Sequence, residues 1–348
     1  MIYRIRKLTI SVLMIIIVFL ISGCSEGITG SGTREDPYII NNFSGMKKVG
    51  TKKYSLDAYY QLGSDIDATI TGNEDYNEGK GWKPIGEYNN EKEEFKPFTG
   101  VFDGKNHEIK GLKIQRSEEE VVGLFSYIKN GDIKNLGLVD LDICGKRYVG
   151  GIAGYNRGLI ENSYTEGKIR GEWMTGGITG WNFTGTIRES YSRSDIDGIG
   201  WLGGLVGLNS SALIEKSYTT GGVKGKDWNA GGLVGANREN GIISTCYARG
   251  EVQSYSRVGG LTGINTGIIK ESYSTGRVKG EWLTGGLIGW NFQGIVQRSY
   301  WDQTSSGLDI SDGGTGRSSV EMKNSDTYRN WDFEEVWEIE EEEYPEHQ

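Results

Sequence analysis

The chain has 348 residues with 55 glycines, only 4 prolines, 3 cysteines and a formal net charge of −9. That balance excludes a nucleic-acid partner, whose phosphates call for a basic face, and glycine at fixed spacing excludes a disordered linker. Of the two histidines, His107 is followed by Glu108 but by no second histidine four places on, so no H-E-x-x-H zinc site exists.

At the start, Arg4, Arg6 and Lys7 precede an apolar stretch at 8–21 and then Ser22-Gly23-Cys24. These are the parts of an export signal. The apolar core is shorter than the roughly 20 residues a membrane span needs. The ending Leu20-Ile21-Ser22-Gly23-Cys24 resembles a bacterial lipobox, which implies a lipoprotein signal peptide at 1–23, cleavage before Cys24 and lipidation of that cysteine. More than one acyl chain anchors stably, so the expected location is a cell membrane or cell surface, reached by export. Residues 25–32 are expected to be a short polar tether.

Residues 33–97 are expected to cap the N-terminal end, with a helical turn near 43–49 and a strand at 59–66. A stack of strands needs such a cover, because its open end exposes apolar interior and strand edges. In the polar loop at 73–80, Asn73, Asp75 and Asn77 look like part of a calcium loop, but Gly79 falls one place late for an EF-hand. A solvated surface loop is expected there. Residues 98–114 and 121–144 read as two irregular first coils, with Gly123-Leu124-Phe125 standing where later coils have Gly-Gly-Leu.

From 149 to 300 one sentence recurs six times: G-G-[LI]-x-G-x-N, G-x-I-x-x-S-Y, G-x-V-x-G. The glycine pairs begin at Gly150, Gly176, Gly203, Gly231, Gly259 and Gly285. A period of that length without a helical face predicts an all-β, parallel β-solenoid of about seven to eight coils. Each repeat reads as three short strands. After Ile160, Ile187, Ile214, Ile243, Ile269 and Val296, two mostly polar residues break the alternation, as at a corner.

Next comes a small residue, Ser163, Ser190, Ser217, Cys246, Ser272 or Ser299, predicted inward because cysteine behaves as a small buried group. Tyr164, Tyr191, Tyr218, Tyr247, Tyr273 and Tyr300 then form an outward ladder. Asn156, Asn182, Asn209, Asn237, Asn265 and Asn291 share one corner position, where stacked amides bond to those above and below. Cys144 and Cys246 lie about four coils, hence roughly 19 Å, apart at the strand spacing, too far for a disulfide.

An aromatic ends the third strand of several repeats: Trp173, Trp201, Trp228, Tyr255 and Trp282. Tyr155, Trp181 and Trp290 precede three of the ladder asparagines. Exposed rings beside charged residues can stack on sugars or anchor a protein. Recurring with the repeat, they can equally shield the coil edges.

The repeats resemble the GLUG-motif family of bacterial surface proteins, and the resemblance runs loosely from about residue 32 to 345. Similar patterns occur in large adhesins and in immunoglobulin A metallopeptidases. It implies a right-handed parallel β-helix on a cell surface, without the zinc domain of the larger peptidases.

β-helix folds also carry polysaccharide lyases and hydrolases, and fold alone does not decide function. Such enzymes need clustered acids, whereas the repeats offer only Asp195, Asp197 and Asp227 among aspartates. No catalytic, cofactor or metal-ligating set emerges; Asp195 and Asp197, in one irregular strand, are a cation candidate in the repeats, the alternative being a solvent-facing edge. The expectation is a monomeric, noncatalytic lipoprotein held to the membrane through Cys24, with a surface protein or glycan as ligand. The alternative is a lyase or hydrolase.

After Tyr300, 301–317 is polar, Ser318 begins a helical turn through Met322, and Trp331, Phe333, Val336, Trp337 and Ile339 are expected to close the C-terminal end. Residues 340–348 are expected to be a solvated acidic tail.

Overall fold

The structure is a computed structural model describing residues 27–89 and 94–348. The expected signal peptide and Cys24 lie outside the described residues. The chain forms a parallel β-solenoid of about seven turns. Equivalent residues of successive coils pair in register: Asn156 with Asn182 and Asn182 with Asn209, Tyr164 with Tyr191, Ile187 with Ile214.

Each coil has more corners than the sequence reading allowed. In one coil the strands are Val206–Ser210, Leu213–Glu215, Tyr218–Thr219, Val223–Gly225 and Trp228–Gly231, five segments where three were expected. The corner expected after the isoleucine bead forms where the two polar residues fall. The second of them, Asn162, Glu189, Lys216, Thr245, Glu271 or Arg298, takes a left-handed backbone with φ of 43° to 52°. Such a conformation costs a non-glycine residue about 1 to 3 kcal/mol. Pairing with the next coil holds it in place.

The recurring glycine pair answers a steric demand. A Cβ on Gly203 would lie 2.1 Å from the Val206 carbonyl oxygen and 2.7 Å from that of Leu233. Those atoms are backbone and cannot turn aside. Inside, Ile160, Ile187, Ile214, Ile243 and Ile269 are fully buried in one continuous core. A single coil buries too few such side chains to offset ordering its own backbone, so stability comes from stacking. On one outer column Asp103, Lys134, Glu161, Arg188 and Glu215 alternate in sign from coil to coil. Opposite charges side by side favour this pairing over arrangements that bring like charges together.

The N-terminal region continues the stack. Tyr38–Ile40 pairs in parallel with Tyr59–Leu62, which pairs with Val101–Asp103. Asn42 caps the helical turn Phe43–Met46. The expected tether is largely folded: Ile28–Thr29 pairs antiparallel with Tyr38–Ile40, and Ile28 is buried. Its apolar side chain finds a seat in the cap, which composition alone did not reveal. The 73–80 loop is a mostly exposed turn, with Asn77 and Glu78 left-handed and Asn77 Nδ2 donating to the Gly81 carbonyl at 3.0 Å.

The C-terminal region departs most from expectation. The end of the stack is closed by residues 308–312, where the Ile310 carbonyl accepts from Gly286 N–H and Ser311 Oγ accepts from Leu287 and Ile288. The aromatic segment instead folds back along the side of the solenoid. Its residues Tyr328, Trp331 and Trp337 pack with Tyr247, Tyr273 and Tyr300. The last residues are not a frayed tail: Glu346 pairs with Arg249, His347 Nε2 lies 2.8 Å from the Thr245 carbonyl, and Glu346–His347 pairs with Trp337–Glu338. Uncovered tyrosine rings offer this strap an apolar wall.

Candidate ligand-binding site: the tryptophan column

The asparagines and the tyrosines each stack in a row along the solenoid. Each asparagine from Asn156 to Asn265 donates its Nδ2 to the Oδ1 of the next, at 2.9 Å in all five links to Asn291. All but Asn291 are fully buried. The row begins where Ile128 occupies the equivalent place in the preceding coil. Tyr164, Tyr191, Tyr218, Tyr247 and Tyr273 stack with ring centroids 4.7 to 5.2 Å apart, and Tyr300 pairs in register with Tyr273.

Tyr164 ends this row by donating its hydroxyl to Glu108. At the other end Tyr247, Tyr273 and Tyr300 are buried beneath the strap, so half of the ladder is interior. Burial pushes the Tyr247 hydroxyl far above its ordinary pKa.

The serine column does more than fill space. Ser190 Oγ accepts from Ser163 N–H of the preceding coil at 3.2 Å and donates to the Arg188 carbonyl at 2.8 Å, and the pattern repeats at Ser217, Ser272 and Ser299. Cys246 stands in this column, fully buried, and burial pushes its thiol up to about 12. Cys144 and Cys246 are both free.

The five aromatics expected to share one row do not. In the strand leading to each glycine pair one residue is left-handed: Val121, Tyr148, Met174, Trp201, Asn229, Arg257 or Leu283, with φ of 49° to 59°. The residue before it forms an outward column: Glu120, Arg147, Trp173, Gly200, Trp228, Ser256 and Trp282. Trp201 therefore belongs to the left-handed set and Tyr255 precedes the column by one residue. Counting back from the glycine pair would have separated them, since Trp173, Trp228 and Trp282 share one offset and Trp201 and Tyr255 do not.

Within the column, Trp173 and Trp228 lean together over Gly200, ring centroids 6.3 Å apart and planes at 76°. A Cβ on Gly200 would come within 2.8 Å of Trp173 and 3.0 Å of Trp228, so glycine there lets the indoles meet. Trp228 and Trp282 are 39% and 63% exposed, unusual for large apolar side chains. Trp173 and Trp228, together with Trp201 and Met174, line an open trench of about 440 Å³, rimmed by Glu120, Lys146, Arg147 and Glu172; Trp282 stands outside it.

An aromatic stack adjoins the trench at Arg147. The Arg147 guanidinium sits 4.6 Å from the Tyr148 ring, Tyr148 stacks on Trp181, and Tyr155 joins Trp181 to Tyr127. Tyr155 and Trp181 are thus the edge-shielding stack that their recurrence suggested. Arg257 lies 5.2 Å from the Trp228 ring and 4.9 Å from that of Trp290. Asp195 and Asp197 form no cluster with other acids: Asp195 accepts from Gly222 N–H at 3.0 Å, and Asp197 pairs in register with Arg170 and Lys224. Among the described residues no three of His, Cys, Asp and Glu gather where they could hold a metal ion.

No protein-family model matches the chain. Over 153 residues, 44% of the chain, it is 34% identical to halomucin of Haloquadratum walsbyi. Over 177 residues, 47% of the chain, it is 32% identical to the "Putative Gly-rich membrane protein" of Evansella cellulosilytica. The chain spans only 2% and 19% of the lengths of these two relatives.

Among solved structures, a Bacteroides ovatus protein described as a "putative immunoglobulin A1 protease" superposes with TM-score 0.57 at 21% identity, covering 92% of this chain and 94% of its own. A chain named "IgA1 Protease" gives TM-score 0.57 at 18% identity, covering 86% of this chain and 24% of its own. At these identities the likeness is one of fold.

Proposed function

We propose that the protein is a noncatalytic, lipid-anchored surface solenoid that binds a ligand along the tryptophan column. The observation that carries this reading is the alignment of Trp173, Trp228 and Trp282 at one outward position, half-buried at Trp173 and exposed at Trp228 and Trp282, beside charged side chains that rim the trench. Structural aromatics in this protein behave differently, being stacked or covered as in the tyrosine ladder. A lyase or hydrolase would need carboxylates converging in a groove, and the two repeat aspartates proposed for that role are spent on a backbone amide and a charge column. Surface display agrees with the lipobox-like ending at Cys24 and with relatives named as a mucin and a membrane protein.

The test has two parts. Expressed in a bacterial host, the full chain should take up an alkyne-tagged fatty acid and partition with membranes, and Cys24→Ser should do neither. Incubated with a polysaccharide panel and with matrix proteins, it should bind without releasing shortened products. Cleavage of any polysaccharide, or binding unchanged in a Trp173→Ala/Trp228→Ala variant, would reject the reading.

A further inference from the structure

We infer that the ligand of the tryptophan column is a linear acidic glycan laid lengthwise along the stack, with sugar faces on Trp173 and Trp228 and an anionic substituent at Arg147 and Lys146. This deepens the binding reading and rests on it. The column runs along the stacking direction, one position per coil at about 4.8 Å. From Trp173 to Trp282 it therefore extends about 19 Å at that spacing. A ligand that follows it must be elongated and must present an apolar face again and again. A pyranose chain does so, each ring carrying C–H bonds on its faces and hydroxyls around its edge.

Protein is the weaker fit. Stable protein interfaces bury a broad patch of about 1,200 to 2,000 Å² with an apolar centre, whereas the three indoles of this column follow a single line along the stack. The indoles at 76° over Gly200 offer one ring a face and its neighbour an edge, a fixed angle that suits a rigid chain. Ser256 supplies a hydroxyl between Trp228 and Trp282.

The rim sets the charge of the ligand. No ion pair among the described residues engages Arg147, Lys146, Glu120 or Glu172. The Arg147 guanidinium is held over Tyr148, which is itself braced by Trp181, so the fork is positioned before a ligand arrives. A planar guanidinium takes carboxylate or sulfate through paired hydrogen bonds. Glu120 and Glu172 accept from sugar hydroxyls and repel densely charged polymers. The combination selects sparse anionic groups alternating with neutral sugars.

The probes are a hyaluronan decasaccharide, which alternates uronate and neutral sugar, a heparin decasaccharide as the densely sulfated arm, and a cello-oligosaccharide as the neutral arm. Binding to the full chain would be followed by calorimetry and tryptophan fluorescence, with circular dichroism to confirm each variant's fold. Hyaluronan oligosaccharide should bind saturably and more tightly than either other probe. Trp173→Ala and Trp228→Ala should each weaken it at least tenfold, and Arg147→Gln should reduce its affinity to that of the neutral probe.

Failure of all three oligosaccharides to bind, or binding that these variants leave unchanged, overturns the assignment. If the variants instead lose a bound protein while no glycan binds, the column is a binding site but its ligand is not a glycan. Tighter binding of heparin than of hyaluronan overturns the sparse-charge argument.

Discussion

Replacing one amide in the middle of the asparagine row, Asn209→Ala, removes a donor and an acceptor from a fully buried chain of bonds. Asn209 Oδ1 accepts from Asn182 at 2.9 Å, while its Nδ2 donates to Asn237 at 2.9 Å and to the Ala212 carbonyl at 3.1 Å. Each lost bond is worth about 1 kcal/mol net, and a buried acceptor left without a donor, here Asn237 Oδ1, costs about 1 to 3 kcal/mol. The expected loss is about 4 kcal/mol on these figures. Asn291→Ala, at the half-buried end of the row, should cost only about 1 kcal/mol, because water can reach the vacated partner.

Asn209→Ala combined with Asn237→Ala should cost less than the two single changes together, since they share one bond. Urea unfolding followed by fluorescence and circular dichroism measures the totals. Amide exchange around 205–215 locates the loss, because stacked coils can open separately. Equal effects of Asn209→Ala and Asn291→Ala, or strict additivity of the pair, would refute the claim that the row acts as a connected chain.

Gly203→Ala should destabilise by about 3 kcal/mol or more, since its Cβ meets carbonyl oxygens that cannot move away; a change within about 0.5 kcal/mol in the same unfolding assay would contradict this close-packing account. Cys246→Ser should be neutral or stabilising by up to about 1 kcal/mol, because serine restores the relay of its column. In the native protein at pH 8, iodoacetamide should label half-buried Cys144 before Cys246, whose thiol is buried and pushed up to about 12; peptide mapping reads the order. The strap should loosen in acid. Burial pushes His347 down to about 4 from an ordinary 6.5, so its contribution is fully present above pH 6.5 and is lost as pH falls toward 4. Amide exchange at 337–347 should rise across that window, and His347→Gln should flatten the part of the profile above pH 5.

The repeat was legible because stacking forces the same physical demand on the same place in every coil. Asn182, Ser190, Tyr191 and Gly203 each recur where an amide row, an inward hydroxyl, a stacked ring or a bare backbone is required. The tryptophan column was only partly legible. Trp201 and Trp228 both fall near the end of the third strand, but Trp201 stands two places before its glycine pair and Trp228 three, so Trp201 takes the left-handed position and leaves the column. Ile28 and His347 carried no periodic signal at all: Ile28 proved to be seated beside Ile40 in the N-terminal cap, and His347 against Thr245, far back along the chain.

Sequence alone determined the parallel stack, its period and its inner rows, because those depend on contacts between like residues one repeat apart. Only the tertiary structure decided which rings remain exposed, because that depends on the later, non-repeating C-terminal segment folding back over Tyr247, Tyr273 and Tyr300. Among the described residues no such segment covers Trp228 and Trp282. A side chain's distance to its own copy is set by the repeat, whereas its access to solvent is set by everything else that packs nearby.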